Sequence, residues 1–306
     1  MAFTATDVKN LRELTGCGMM DCKKALSASD GDVDKAIEYL REKGLAASQK
    51  KAGRIAAEGM AYADVIGGVG VVVEVNAETD FVGKNEKFVT FVKDIADIIA
   101  KENPADLDAL MACRYPDSDL TVLEKQQEMI LVIGENIKIR RFARFADGVS
   151  VSYVHAGGKI GVIVNMSVSA GLEDKVTEIG KNVAMQVAAL SPAFLDKSVV
   201  PTDVLAREKE IVIAQMKEDP KMASKPAAVL DKIADGKMSK YYKENCLLQQ
   251  EYVKDSSMSV EQYLAASAKE LNGTIKVNSM TRFEKGEGIE KKECNLAAEI
   301  ADMLKK

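Results

Sequence analysis

The sequence predicts an α+β fold in which a helical module leads into a duplicated core with small antiparallel sheets. Three observations carry the prediction. Apolar residues recur at helical spacing through residues 1–48. A valine-rich strand segment then occurs twice, as "GVGVVVEVNAETDF" and "GKIGVIVNMSVSAGLE", each time before a polar turn and a helical stretch. Each copy closes on a glycine followed by an Ile-Lys alternation that ends in Arg-Phe, "GENIKIRRFARFADG" and "NGTIKVNSMTRFEKGEG". Strand, helices, strand, repeated, suits two units whose sheets are covered by helices.

The elements follow in order. Thr6 is a competent cap for a first helix with Val8, Leu11 and Leu14 on its apolar face. "TGCGMMD" breaks it, with Gly16 and Gly18 supplying turn geometry. Asp21 caps a second helix burying Cys22, Ala25 and Leu26, and Val33, Ala36, Ile37 and Leu40 line a third. Three short helices with a glycine-rich first loop resemble a ubiquitin-associated-like bundle. Residues 49–59, with Lys50, Lys51 and Arg54, read as a basic linker with a solvated face. Residues 60–148 form the first core unit and 149–285 the second. The second is longer because of an insertion at about 203–253. Its apolar residues (Leu205, Ile211, Val212 and Met216, then Val229, Leu230, Ile233 and Met238) predict an antiparallel helical hairpin broken near Pro220 and Pro226. Whether it folds back on its own unit or meets a partner stays open. Gly286 and Gly288 set off residues 286–306, where Leu296, Ile300 and Met303 mark a carboxy-terminal helix.

Composition narrows the function. A formal net charge of −5 argues against broad phosphate-backbone binding, so no direct nucleic-acid partner is expected. Five cysteines without a C-x-x-C pair suit a reduced chain. No uncharged run approaches the roughly 20 residues that span a bilayer, and Met1-Ala2-Phe3-Thr4 opens no signal peptide. The expectation is a soluble cytoplasmic protein with no membrane partner. One histidine, His155, leaves no multi-histidine metal site. "HAGGKI" places Ile160 where a phosphate loop needs Ser or Thr, and "GGVGVVV" places Val73 where the dinucleotide fingerprint needs glycine. No cofactor and no catalytic motif are expected.

Four motifs carry a resemblance over essentially the whole chain: "LRELTGCGMMDCKKAL", "EVNAETDFVGKN", "IGENIKIRR" and "RFEKGEGIEKK". Together they resemble the bacterial elongation factor Ts family, the guanine-nucleotide exchange factors of elongation factor Tu. The resemblance implies a factor that binds elongation factor Tu, GDP-bound or nucleotide-free, and acts by protein–protein contact rather than as an enzyme. It implies that Asp80 and Phe81, flanked by Thr79 and Val82, intrude beside the partner's magnesium and phosphate site. Met19, Met20 and Lys23 match an amino-terminal contact, Ile133 and Gly134 a core contact, and His155 a contact from the second unit. Where many relatives carry Gln-Thr-Asp-Phe, this chain has Glu78, which leaves the Asp-Phe pair intact and adds a charge. Stoichiometry stays open between a single copy of each chain, a homodimer and a complex with two copies of each.

Each of these residues also has a plainer reading. Thr79, Asp80 and Asn85 are all competent helix caps. Phe81 suits a core ring under the turn, and Ile133 the core beside a strand, with Gly134 as a turn former. Two consecutive methionines cannot both face inward from a helix, so one of Met19 and Met20 is expected in solvent. Two other functions compete with exchange: an adaptor without effect on nucleotide, and an enzyme using Asp80 and Glu78 as paired acids with Lys84.

Overall fold

The computed structural model describes residues 3–219, 222 and 225–290. The chain opens with helices α1 (Ala5–Thr15), α2 (Met19–Ala28) and α3 (Val33–Lys51). Leu11, Cys22, Ala25, Leu26, Ala36 and Leu40 form their common core. Thr4, not Thr6, caps α1: its hydroxyl accepts the Asp7 N–H while the Asp7 carboxylate accepts the Thr4 N–H, a reciprocal capping box. The second helix starts at Met19 after Gly18, so Asp21 lies inside its first turn and pairs with Lys43 of α3. Leu14 is 70% exposed and Val33 is exposed, so neither joins the stripe the periodicity assigned it. The expected linker is shorter than 49–59, because α3 continues to Lys51 and the next strand begins at Glu58.

The first sheet has strand order β1 (Glu58–Ile66), β2 (Val69–Ala77), β3 (Lys138–Phe145), all antiparallel. Between β2 and β3 run α4 (Glu86–Glu102), α5 (Leu107–Ala112) and α6 (Val122–Ile133). Alternation along β2 sends Val71, Val73, Val75 and Ala77 to the helical side, against Phe88, Phe91, Ile95 and Ile99 of α4. Val72 and Glu74 point the other way, toward the second sheet.

That sheet has order β4 (Val149–His155), β5 (Ile160–Val168), β8 (Ile275–Glu284). Between β5 and β8 come α7 (Thr177–Leu190), α8 (Thr202–Glu218), α9 (Ala227–Asn245), the short pair β6 (Glu251–Tyr252) and β7 (Asp255–Ser259), and α10 (Val260–Glu270). The sequence duplication is a duplication of register. Gly70 faces Phe145 across β2–β3, and Gly161 faces Phe283 across β5–β8. The ladder slips after Glu74 in the first sheet and after Asn165 in the second.

The two sheets pack on each other through small residues: Ala61, Ala63, Val72 and Ile163 are buried together with Phe283, and the Ala61 N–H donates to the Gly158 carbonyl at 2.8 Å. The approach needs glycine at matched positions. A Cβ on Gly70 would sit 2.6 Å from the Ser150 side chain, and one on Gly161 would sit 3.1 Å from the Ala61 backbone.

Helices α8 and α9 form the hairpin, with Met216, Leu230 and Ala234 buried between them and Val212, Ile213 and Ile233 packed alongside. Val212, Met216, Leu230 and Ile233 of the stripe are thus consumed within the hairpin while Ile211 and Val229 stay exposed, and the hairpin ends at Asn245 rather than extending to 253. The carboxy-terminal helix predicted from Leu296, Ile300 and Met303 lies outside the described residues.

Gly286 is an anchor rather than a point of detachment. Its N–H donates to the Glu74 carboxylate at 2.8 Å, and its φ of +72° with a would-be Cβ 2.0 Å from the Ala57 carbonyl admits no side chain. Glu74 is fully buried and also accepts from Asn76 Nδ2 (3.0 Å), Arg140 Nη1 (3.0 Å) and Arg141 Nε (2.6 Å). Arg141 reaches on to Glu287 at 3.0 Å and stacks over the Phe283 ring. One carboxylate therefore joins β2, β3 and the segment after β8.

Burial alone raises the Glu74 carboxyl, but the bonds from Gly286, Asn76, Arg141 and Arg140 outweigh it and hold the group below its usual value. A carboxyl depressed in the folded state stabilises the fold above its unfolded pKa, and that contribution is lost as pH falls through the folded value. Glu74→Gln is therefore expected to lower stability at pH 7 by about 2–4 kcal/mol, with the gap to the parent narrowing as pH falls below about 4.5. Urea unfolding at pH 7, 5 and 3.5 measures both; a gap that stays constant across that range contradicts the account.

Candidate functional site

The turn after β2 holds the residues singled out by the sequence. Ala77 closes the strand, and the next two residues are tied across the molecule to the end of α6. Glu135 Oε2 accepts the N–H groups of Glu78 (3.0 Å) and Thr79 (2.9 Å), and its Oε1 accepts the Thr79 hydroxyl at 2.6 Å. In return the Glu78 carboxylate accepts the Asn136 N–H at 2.6 Å and faces Arg54 Nη1 at 3.4 Å. The Asn136 amide donates to the Arg54 carbonyl at 2.9 Å. The Glu78 carboxylate thus closes a two-way clamp between residues 78–79 and 135–136. A carboxylate engaged in this way is also a poor partner for Asp80 in acid–base chemistry.

Beyond the clamp the chain turns outward and then back. Phe81 takes a right-handed helical conformation (φ −62°, ψ −39°) at the start of a short 3-10 turn, Val82–Lys84. Val82 is buried in the first core, and Gly83 lies where a Cβ would meet the Gly59 carbonyl at 2.7 Å. Between these fixed points the Phe81 ring is 80% exposed. Asp80 is exposed too, and among the described residues its side chain has no hydrogen-bond or ion-pair partner. Neither plainer reading fits. The cap of α4 is Asn85, whose side chain accepts from Lys87 and Phe88, and the ring under the turn is Phe88.

Met19 and Met20 open α2 and are both in solvent, at 57% and 61% exposure. Lys23, also exposed, follows Met19 by one helical turn. The loop before them is held by Lys87, whose ammonium donates to the Gly16 carbonyl at 3.3 Å. Together these segments wall an open groove of about 590 Å³, lined by Gly16, Met19, Phe81, Val82, Lys87 and Ile133 among others. Ile133 also packs against the first core, and Gly134 ends α6 in the left-handed region (φ +85°) with open space around it. Three distant stretches of sequence therefore converge: the start of α2, the turn at 79–82 and the end of α6.

His155 is not part of this grouping. It ends β4 in the second sheet, exposed, with Nδ1 3.0 Å from the Tyr153 hydroxyl, and it does not line the groove. Sequence reasoning also missed residues that hold the site together, namely Glu135, Asn136, Arg54 and Lys87. Glu135 and Asn136 lie in the "IGENIKIRR" motif, directly after the Ile-Gly pair that the resemblance singled out. Among the described residues no three His, Cys, Asp or Glu converge as metal ligands, and no helix is long and apolar enough to cross a membrane.

Comparison with known proteins shows the family. The family model described as "Elongation factor TS" matches residues 78–287, well over half of the chain. Elongation factor Ts of Trichlorobacter lovleyi is 49% identical over 98% of both chains. That of Syntrophotalea carbinolica is 44% identical over the full length of both. The Clostridium perfringens protein is 46% identical over 98% of this chain and 99% of its own. With the family matched across the duplicated core and its relatives matched end to end, this chain belongs to the elongation factor Ts family, a family of translation elongation factors.

Proposed function

We propose that this chain binds elongation factor Tu and accelerates GDP release by disturbing the magnesium and phosphate site, so that GTP can reload. The observation that carries the reading is a phenylalanine held 80% exposed on an anchored turn beside an unpartnered carboxylate. A free chain gains nothing by displaying that pair. Brought against a hydrated Mg²⁺, the Asp80 carboxylate competes for its water network, and Mg²⁺ tolerates little departure from octahedral geometry. The Phe81 ring wedges between partner side chains.

Magnitudes say what else is needed. Weakening nucleotide a thousandfold takes about 4 kcal/mol of coupling. A ring of this size contributes roughly 1.5–3 kcal/mol when fully buried. Met19, on the same groove, and its exposed neighbour Met20 are two flexible apolar side chains suited to the adaptable contact that supplies part of the remainder. Linkage makes the effect reciprocal: bound nucleotide weakens the factor's grip by the same factor. In this reading residues 1–48 and the 60–148 unit face the partner's nucleotide domain. His155, on the other sheet, serves a separate contact.

Mixing elongation factor Tu loaded with fluorescent GDP, excess GDP and this chain in a stopped-flow instrument tests the proposal. Phe81→Ala is expected to slow release by about 10- to 100-fold while leaving the thermal melt within about 2 °C, because the ring buries little in the free chain. Loss of the melt together with exchange would place the ring in the core and remove the wedge. Binding without acceleration by the parent would make the chain an adaptor. Glu78→Gln, by contrast, keeps a carbonyl oxygen for the Asn136 N–H and loses only a half-exposed ion pair. It is expected to change stability by less than about 1 kcal/mol and exchange by less than about threefold.

A further inference from the structure

The groove, the wedge and the methionine pair act together only if their relative positions are fixed, and the fixing element is the end of α6. This helix has two packed faces. Met129 and Ile130 belong to the first core, whereas Leu131 and Val132 pack against the core of the amino-terminal helices. Lys51, at the end of α3, donates to the Ile130 carbonyl at 3.3 Å. A helix seated on both bodies then turns at Gly134 and presents Glu135. That one carboxylate takes three hydrogen bonds from Glu78 and Thr79, and none from Asp80 or Phe81.

We propose that Glu135 is a positioning residue for exchange: it fixes the direction of the Asp80–Phe81 turn relative to Met19 and Met20 without itself displacing nucleotide. The proposal rests on the exchange reading above. Glu135 is only partly buried and belongs to no apolar cluster, so its removal costs the core little packing. What its removal frees is the backbone of residues 78–79, and with it the aim of the exposed ring. A turn that must be ordered during the encounter pays that entropy on binding, whereas a pre-ordered one does not.

The chain contains no tryptophan, so Phe81→Trp introduces a single indole at the wedge and makes its mobility measurable without a partner. In that background Glu135→Ala is expected to lower the indole's fluorescence anisotropy. With Phe81 native, Glu135→Ala is expected to slow GDP release by about tenfold. Glu135→Gln, whose amide carbonyl still accepts both N–H groups, recovers both readouts. Glu135→Asp, one methylene too short to span the gap, does not. Thr79→Val removes the hydroxyl bond alone and guards against misfolding of the alanine variant; a loss of about threefold is expected. Unchanged anisotropy in Glu135→Ala overturns the clamp. Lowered anisotropy with undiminished exchange overturns the positioning role, as does failure of Glu135→Gln to recover either readout. If the parent chain itself leaves GDP release unaltered, the exchange reading fails and takes the role of Glu135 with it, while the anisotropy still judges the clamp.

Discussion

The fold depends on how one buried carboxylate is satisfied. Glu74 sits on the face of β2 that meets the second sheet, where taking an ionised group out of water costs several kcal/mol unless its lone pairs are filled. Here they are filled by two arginines of β3, a neighbouring asparagine and the Gly286 N–H just past β8. The arginines are only partly buried, which limits their own desolvation cost. The arrangement specifies register as much as it stabilises. If β8 were displaced by one residue, the Gly286 N–H would leave the carboxylate, and Glu287 would leave Arg141. The glycines at matched positions point the same way, since a one-residue slip would bring a side chain to the close approach that Gly70 and Gly161 permit.

A well-defined seam between the sheets lets the molecule carry an awkward feature at its edge. Displaying a phenylalanine in water forgoes roughly 1.5–3 kcal/mol of burial. Holding its turn in one conformation costs about 1–2 kcal/mol per residue in backbone entropy. The clamp offsets this locally: charge-assisted hydrogen bonds contribute roughly 1.5–3 kcal/mol each at best, and four of them link residues 78–79 with 135–136. Val82 and Gly83, buried immediately after the ring, prevent the turn from collapsing inward. The exposed pair is thus bracketed by residues with every reason to stay in place.

Much of this was legible in the chain and some was not, for physical reasons. The strands, the duplication and the hairpin show in the spacing of apolar residues, because period 2 and period 3.6 are imposed by burial. The position of Phe81 stands out because a large ring follows a strand instead of alternating within it. Helix starts were misplaced where several residues could cap: Thr4 and Thr6 differ only in which lies three residues before a carboxylate able to return the bond. The exposure of Leu14 and Val33 depends on where neighbouring bodies lie, which periodicity does not encode. The roles of Glu135 and Gly286 were invisible for the same reason, since their partners lie 56 and 212 positions away in the sequence. Sequence alone reads Gly286 as a point where the tail is set off; the structure uses the absence of a side chain for contact.

The duplication itself shows how the two halves diverged around a shared geometry. Both central strands slip register at the same distance past the glycine that faces a phenylalanine, and the residue at the slip is polar and buried in each: Glu74 in one, Asn165 in the other. A bulge leaves ladder groups unpaired, so a hydrogen-bonding side chain there is useful whatever its charge. In the second sheet the partners are local. Asn165 donates to the Asp147 carbonyl and Ser150, and accepts from Asn278. A neutral amide, donor and acceptor at once, meets that set. In the first sheet the neighbours are two arginines, the Asn76 amide nitrogen and the Gly286 N–H, four donors. An acceptor on both sides answers them, whereas an amide would turn its NH2 group toward at least one donor, Arg141 Nε in the better of its two orientations. The charge at position 74 thus answers donors from two directions, the arginines of β3 and the segment after β8, and that crossing segment is what the second sheet's Asn165 has no counterpart for.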